Sequence, residues 1–140
     1  IIGSQFEALG SLPPFFMILL VCLVLTFMTE LTSNLATTEM ILPILASIAV
    51  VTETHPLMLM IPATLSASCA FMMPVATPPN AIVFGSDRIT VGEMARIGIV
   101  LNLVGAVVIA SVVMTVGTVV FEIDPSVLPE WASSIASGTP

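Results

Sequence analysis

Two short polar stretches interrupt long apolar runs in this chain: Thr29-Glu30-Leu31-Thr32-Ser33-Asn34 and Ala76-Thr77-Pro78-Pro79-Asn80. Each falls where a hydrophobic segment would otherwise continue. Hydrocarbon offers no water to a stray N–H or C=O. Broken backbone at membrane depth therefore persists only where protein buries it or where it lines a cavity. Two such breaks in one chain point to two halves of one polar site built from discontinuous helices, the architecture of secondary transporters.

The membrane premise follows from composition. Hydrophobic residues make up 57% and charged residues 8%, and the mean hydropathy is +1.17. A soluble domain carries about 25% charged residues. The formal net charge is −7, and Arg88 and Arg96 are the only basic side chains. That excludes a basic nucleic-acid footprint and a polybasic lipid-binding segment. Cys22 and Cys69 lie in apolar stretches and read as free thiols rather than a disulfide framework. With His55 as the single histidine, a His/Cys metal cluster is excluded. No nucleophile–base pair is recognisable, so the chain does not read as an enzyme.

The chain begins at Ile1 with no signal-peptide pattern and reads as part of a longer protein with another half upstream. Residues 1–12 form an approach segment. Pro13 to Met28 is uncharged and apolar, slightly short of the roughly 20 residues that a crossing needs. The chain is apolar again from Met40 to Val51. Residues 13–52 are thus expected to form a re-entrant helical hairpin with its tip near 33–34, although hydropathy alone also permits two full crossings. Residues 56–86 are expected to form a broken transmembrane helix. Its apolar segment runs to residue 75, the break lies at 76–80, Thr77 is the N-cap and Pro78 opens a second piece that ends at Gly85. Residues 95–121 form the terminal crossing, in which Gly98, Asn102, Ala106 and Ala110 fall four apart on one face and allow close helix approach. Residues 122–140 form an acidic tail. The two arginines place the loop before the last crossing in the cytoplasm, with the His55 loop and the tail outside.

A helix that starts inside the membrane points unpaired N–H groups and a positive dipole end into the cavity. Such ends bind anions without a charged side chain, and helices restarting after Asn34 and after Thr77 are expected to supply two of them. Thr29, Thr32 and Asn34 offer side-chain oxygens, and the backbone near Ala76 offers carbonyls, which suits a hard monovalent cation. Each break alone could equally be an interhelical hydrogen bond. Glu30 and Glu39 flank the first break and are candidates for function because carboxylates in membrane segments are costly. A capping or structural role is preferred over proton coupling for both.

Thr32-Ser33-Asn34 with Ala36-Thr37-Thr38, then Leu65-Ser66-Ala67-Ser68 leading into Pro74-Val75-Ala76-Thr77-Pro78-Pro79-Asn80-Ala81-Ile82-Val83-Phe84, resembles the C-terminal half of the divalent anion/sodium symporters. These are the sodium-coupled dicarboxylate and citrate transporters, and the resemblance covers residues 10–131. It implies an all-α integral membrane protein of the plasma or bacterial inner membrane. The fold implied is a multi-pass, inverted-repeat elevator with a re-entrant hairpin, a broken helix and a terminal transmembrane helix, forming a homodimer when full length. It implies a sodium site at Thr29, Thr32, Asn34 and the backbone of Ala76, with Na+ as coupling ion. It further implies carboxylate contacts at Ser33, Asn34, Leu35, Thr77 and Pro78. Leu35 departs from the pattern, which commonly has Thr there, so a hydroxyl able to bind carboxylate is replaced by an apolar side chain. Glu39 also departs from it. The function implied is sodium-coupled symport of succinate, malate or citrate. The alternatives are a sodium-independent exchanger of the same fold, a proton-coupled carrier using Glu30 or Glu39, and an inactive truncated fragment.

Overall fold

Proline sets the first boundary. The start of a helix leaves its N–H groups unpaired, so Pro14 loses nothing at the first position, and the Pro13 carbonyl accepts the Phe16 amide at 2.9 Å. Helix α1 runs Pro14–Met28 from this point. The fold is a computed structural model that describes residues 13–121, 123, 124, 128, 129 and 132. The described residues are all helical or irregular, without strands. Helix α2 is Asn34–Val51, α3 is Leu57–Ala67, α4 is Pro78–Phe84 and α5 is Val91–Val112. A π-helical turn, Val113–Gly117, and a last α-turn, Thr118–Val120, prolong α5. The expected approach segment 1–12 and most of the tail 122–140 lie outside the described residues.

The helix lengths bear on which elements can cross a bilayer. At about 1.5 Å per residue, α1 with its 15 residues falls short of a hydrocarbon core of about 30 Å. Helix α2 is longer than the apolar run Met40–Val51, because Asn34 to Glu39 are already helical, giving 18 residues in all. Together Val91–Val120 make a 30-residue apolar helix, and α2 and this helix are the two described helices of spanning length and composition. A capping box starts α5: Glu93 Oε2 accepts the Thr90 amide at 2.9 Å, and Thr90 Oγ1 accepts the Glu93 amide at 3.3 Å. The helix therefore begins at Val91, ahead of the expected residue 95, and includes Arg96.

Helix α1 packs against both α3 and α5, while α2 packs on α3. The core gathers Ile18, Cys22 and Leu25 from α1, Leu45 and Ala49 from α2, Met58, Leu59 and Ala63 from α3, and Ala106, Ala110 and Val113 from the last helix. Lipid tails are as apolar as leucine, so helices associate here by close packing and by polar contacts rather than by a hydrophobic drive. Gly98, Asn102, Ala106 and Ala110 are the buried face of α5. Gly98 marks the tightest approach: a Cβ on it would lie 2.5 Å from the Met72 Cα and from the Phe71 carbonyl oxygen.

One boundary differs sharply from expectation. Helix α3 ends at Ala67, with Ser68 as its cap, well short of residue 75 where hydropathy and Pro74 would end it. The irregular stretch thus runs from Ser68 to Thr77, and the break is longer than 76–80. Its cause is a buried side chain from the first break.

Candidate functional site

That side chain is Glu30, which is 4% exposed. One carboxylate oxygen, Oε1, accepts the amides of Phe71 at 2.8 Å and Met72 at 2.9 Å. The other, Oε2, accepts the amide of Met73 at 2.9 Å. Asn102 Nδ2 on α5 donates to Oε1 at 2.7 Å. Successive backbone N–H groups that converge on one anion form a nest. Burying a carboxylate costs several kcal/mol, and each charge-assisted hydrogen bond offsets about 1.5–3 kcal/mol. Both arginines are exposed, so dipoles rather than a cationic side chain meet this charge among the described residues. Amides bound to Glu30 cannot serve as helical donors, so α3 cannot continue through 71–73. From the other side, Asn80 Nδ2 donates to the carbonyls of Ala70 at 2.8 Å and Met73 at 3.0 Å. The irregular stretch is therefore braced by the turn after α1, by α4 and by α5 together.

Thr29, immediately before Glu30, is fully buried. Its hydroxyl faces two acceptors: Asn34 Oδ1, in close contact, and the Ala67 carbonyl at 2.8 Å. A hydroxyl has one proton to give. The Thr29 hydroxyl, Asn34 Oδ1 and the Ala67 carbonyl thus converge, an all-oxygen set that fits a hard cation. Thr32 stands apart from this trio. Its hydroxyl donates to the Met28 carbonyl at 2.8 Å and lies 2.6 Å from the Thr37 hydroxyl. Ala76 donates its N–H to the Met73 carbonyl at 3.1 Å, and its own carbonyl accepts no hydrogen bond among the described residues.

The two helix starts are unequal. Ser33 is extended at the N-cap of α2 and makes no side-chain cap. The first amide of α2 to find a carbonyl is that of Thr37, bonded to Ser33 at 2.8 Å. The N–H groups of Asn34, Leu35 and Ala36 donate to nothing among the described residues and can receive an anion. At α4 the expectation of a second donating end fails. Pro78 and Pro79 have no N–H, and the Thr77 hydroxyl takes the third amide, that of Asn80, at 3.4 Å. That end contributes a dipole and the Thr77 hydroxyl but no free amide.

The structure therefore brings Thr29 and Asn34 together. No hydrogen bond among the described residues joins Ser33, Asn34 or Leu35 to Ala76, Thr77 or Pro78. Leu35 points outward and is 68% exposed, Ser33 and Pro78 are exposed, and Ala76 and Thr77 are half-buried. Glu30 joins the breaks instead. Sequence reasoning picked out Glu30 as a carboxylate of interest but not its partners, and it missed Ala67 and Asn80. The one available signal for Asn102 was an amide on an otherwise small-residue face.

Residues 3–123 match the family model described as the sodium:sulfate symporter transmembrane region. The chain belongs to the sodium:sulfate symporter family. This membership makes it part of a membrane protein, in keeping with its all-helical fold and apolar helices. Within the reach of this family, it is 47% identical over 112 residues to the sodium-dependent dicarboxylate transporter SdcS of Staphylococcus saprophyticus, covering 80% of this chain and 22% of that protein. It is 45% identical over 133 residues to solute carrier family 13 member 2 of Oryctolagus cuniculus, covering 95% of this chain and 22% of that protein. The SdcS protein of Staphylococcus aureus is 46% identical over 123 residues, covering 88% of this chain and 24% of that protein. The chain thus spans about a fifth to a quarter of the length of these curated relatives.

Proposed function

We propose that this chain is the second of two inverted repeats in a sodium-coupled symporter of di- and tricarboxylates of the succinate, malate and citrate class. The observation that carries the reading is the convergence of the Thr29, Asn34 and Ala67 oxygens beside uncapped amides. Sodium, as co-transported substrate, takes the oxygens of Thr29 and Asn34 and the Ala67 carbonyl, with the Thr32 hydroxyl and the open carbonyl of Ala76 as the further ligands of the site. Its charge then favours a carboxylate next to it. That carboxylate is received by Ser33, Asn34 and the amides at the start of α2, while Thr77 and Pro78 bound the other end and Leu35 narrows the choice of anion. Residues 13–52 form a re-entrant hairpin, and the short α1 supports this. The whole repeat moves as part of an elevator against a dimeric scaffold, with the Arg88 loop cytoplasmic and the lipid bilayer around it.

The names of the relatives, sodium-dependent dicarboxylate transporters among them, support the same substrate class. Proton coupling through Glu30 loses support, because its carboxylate is engaged as an acceptor by four donors. The test is uptake of labelled succinate, citrate and sulfate by the full-length protein in proteoliposomes, with and without a sodium gradient, beside Asn34→Ala. Sodium-driven uptake of a carboxylate that the variant loses supports the reading. Uptake indifferent to sodium moves the assignment to an exchanger, and uptake of sulfate alone moves it to an inorganic anion.

A further inference from the structure

Asn102 sits on α5, bonded to none of the residues assigned to the ions, and is fully buried within the bundle. Its Nδ2 holds Glu30 at 2.7 Å, while its Oδ1 is buried with no hydrogen-bond partner among the described residues. An unpaired buried acceptor costs about 1–3 kcal/mol, a cost that an apolar side chain would not carry. The benefit of an amide at this position therefore lies in the bond from Nδ2 to the carboxylate.

That bond reaches both sides of the proposed cation site. On one side Glu30 adjoins Thr29, whose hydroxyl belongs to the oxygen trio. On the other side Glu30 fixes the amides of 71–73, and the Met73 carbonyl in turn holds the Ala76 amide at 3.1 Å. One helical turn before Asn102, the backbone at Gly98 seats directly on Phe71 and Met72. Asn102 and Gly98 thus address the same three-residue segment, one through the carboxylate and one by contact.

We propose that Asn102, acting through Glu30, is a positioning residue that sets the sodium affinity of the site from the last helix. The inference rests on the sodium-coupled reading above. Without the Asn102 amide, Oε1 keeps two donors and the carboxylate is free to turn toward its backbone partners. Thr29 then loses its firm tie, through Glu30, to the 71–73 segment that carries Ala76. Partners that orient metal ligands from outside the coordination shell typically change affinity about 10- to 100-fold when removed.

The test uses the full-length protein in proteoliposomes, with Asn102→Leu, which keeps the branched shape but is bulkier, and Asn102→Ala, which removes the amide without added bulk and extends the small-residue face of α5. The readouts are the sodium concentration for half-maximal succinate uptake, succinate affinity at saturating sodium, maximal rate per folded molecule, and the rise in melting temperature on adding sodium. The expected result is half-saturation by sodium raised about 10- to 100-fold, a smaller sodium-induced melting shift, and succinate affinity and maximal rate recovered at saturating sodium. Unchanged half-saturation in either folded variant overturns the proposal. So does a uniform loss that merely tracks the amount of folded protein, or the failure of both variants to fold, since either assigns Asn102 to packing alone. A parent protein whose uptake ignores sodium overturns the sodium-coupled reading itself, and that result shows before any variant is compared.

Discussion

Asn102 donates to the carboxylate of Glu30 across 72 residues of sequence, at 2.7 Å and out of reach of solvent. The same carboxylate holds three consecutive amides. Glu30→Gln keeps the shape but turns one acceptor into a donor, which must face N–H groups on one side or the other. The expected loss is about 3 kcal/mol or more of stability, seen as a clear drop in melting temperature in detergent. A melting curve that overlays the parent would show that the carboxylate does not hold the segment.

Gly98→Ala tests the close approach of α5 to the irregular stretch. The new Cβ would meet backbone atoms of Phe71 and Met72 at 2.5 Å, and backbone cannot swing aside as a side chain can. Overpacking of this kind costs about 1–3 kcal/mol. Both a lower melting temperature and faster hydrogen exchange at 70–73 are expected. Gly105, which has open space around it, serves as the control: Gly105→Ala should leave both readouts in place.

Thr29→Val removes a hydroxyl and keeps the volume. The Ala67 carbonyl then loses its donor, at a cost of about 1–3 kcal/mol, and the oxygen trio loses its middle member. Sodium half-saturation of uptake should rise about tenfold or more. Thr64→Val, on the exposed face of the same packing pair, removes a hydroxyl bonded only to the Met60 carbonyl and should leave sodium dependence unaltered. Equal sodium curves for parent and Thr29→Val would remove Thr29 from the cation site.

Leu35→Thr restores a hydroxyl beside the free amides at the start of α2. A hydrogen bond to a charged carboxylate contributes about 1.5–3 kcal/mol. The concentration of substrate for half-maximal uptake should therefore fall by about tenfold or more for at least one of succinate and citrate. No change with any carboxylate would place the bound anion away from this helix end.

Several boundaries were legible because their causes are local. Pro14 and Pro78 open helices by their own geometry, and Asn34 follows a polar turn that no apolar helix would carry through. The end of α3 was not legible. It is set by an acceptor on Glu30 that lies 41 residues from Phe71 in sequence, and no window on residues 57–75 contains it. The Ala67 carbonyl was missed for the same reason, since it becomes a candidate ligand only once α3 stops there. The expected donor end at α4 is a different case. Pro78 and Pro79 were in plain view, and their lack of N–H groups already ruled out free amides at that start. The small-residue face of α5 was read correctly from its fourfold spacing. The amide within it looked like one more contact residue until Glu30 was found opposite.

The dependence of the irregular segment on α5 bears on how the protein is made. Glu30 and the amides of Phe71, Met72 and Met73 leave the ribosome before Gly98 and Asn102, so the carboxylate meets three of its four donors before the fourth exists. Only when the last helix has been inserted and docked are the partners of Glu30 complete. The site is therefore completed late in biogenesis: a chain stopped before residue 98 holds every oxygen of the trio but neither the fourth donor to Glu30 nor the close contact of Gly98.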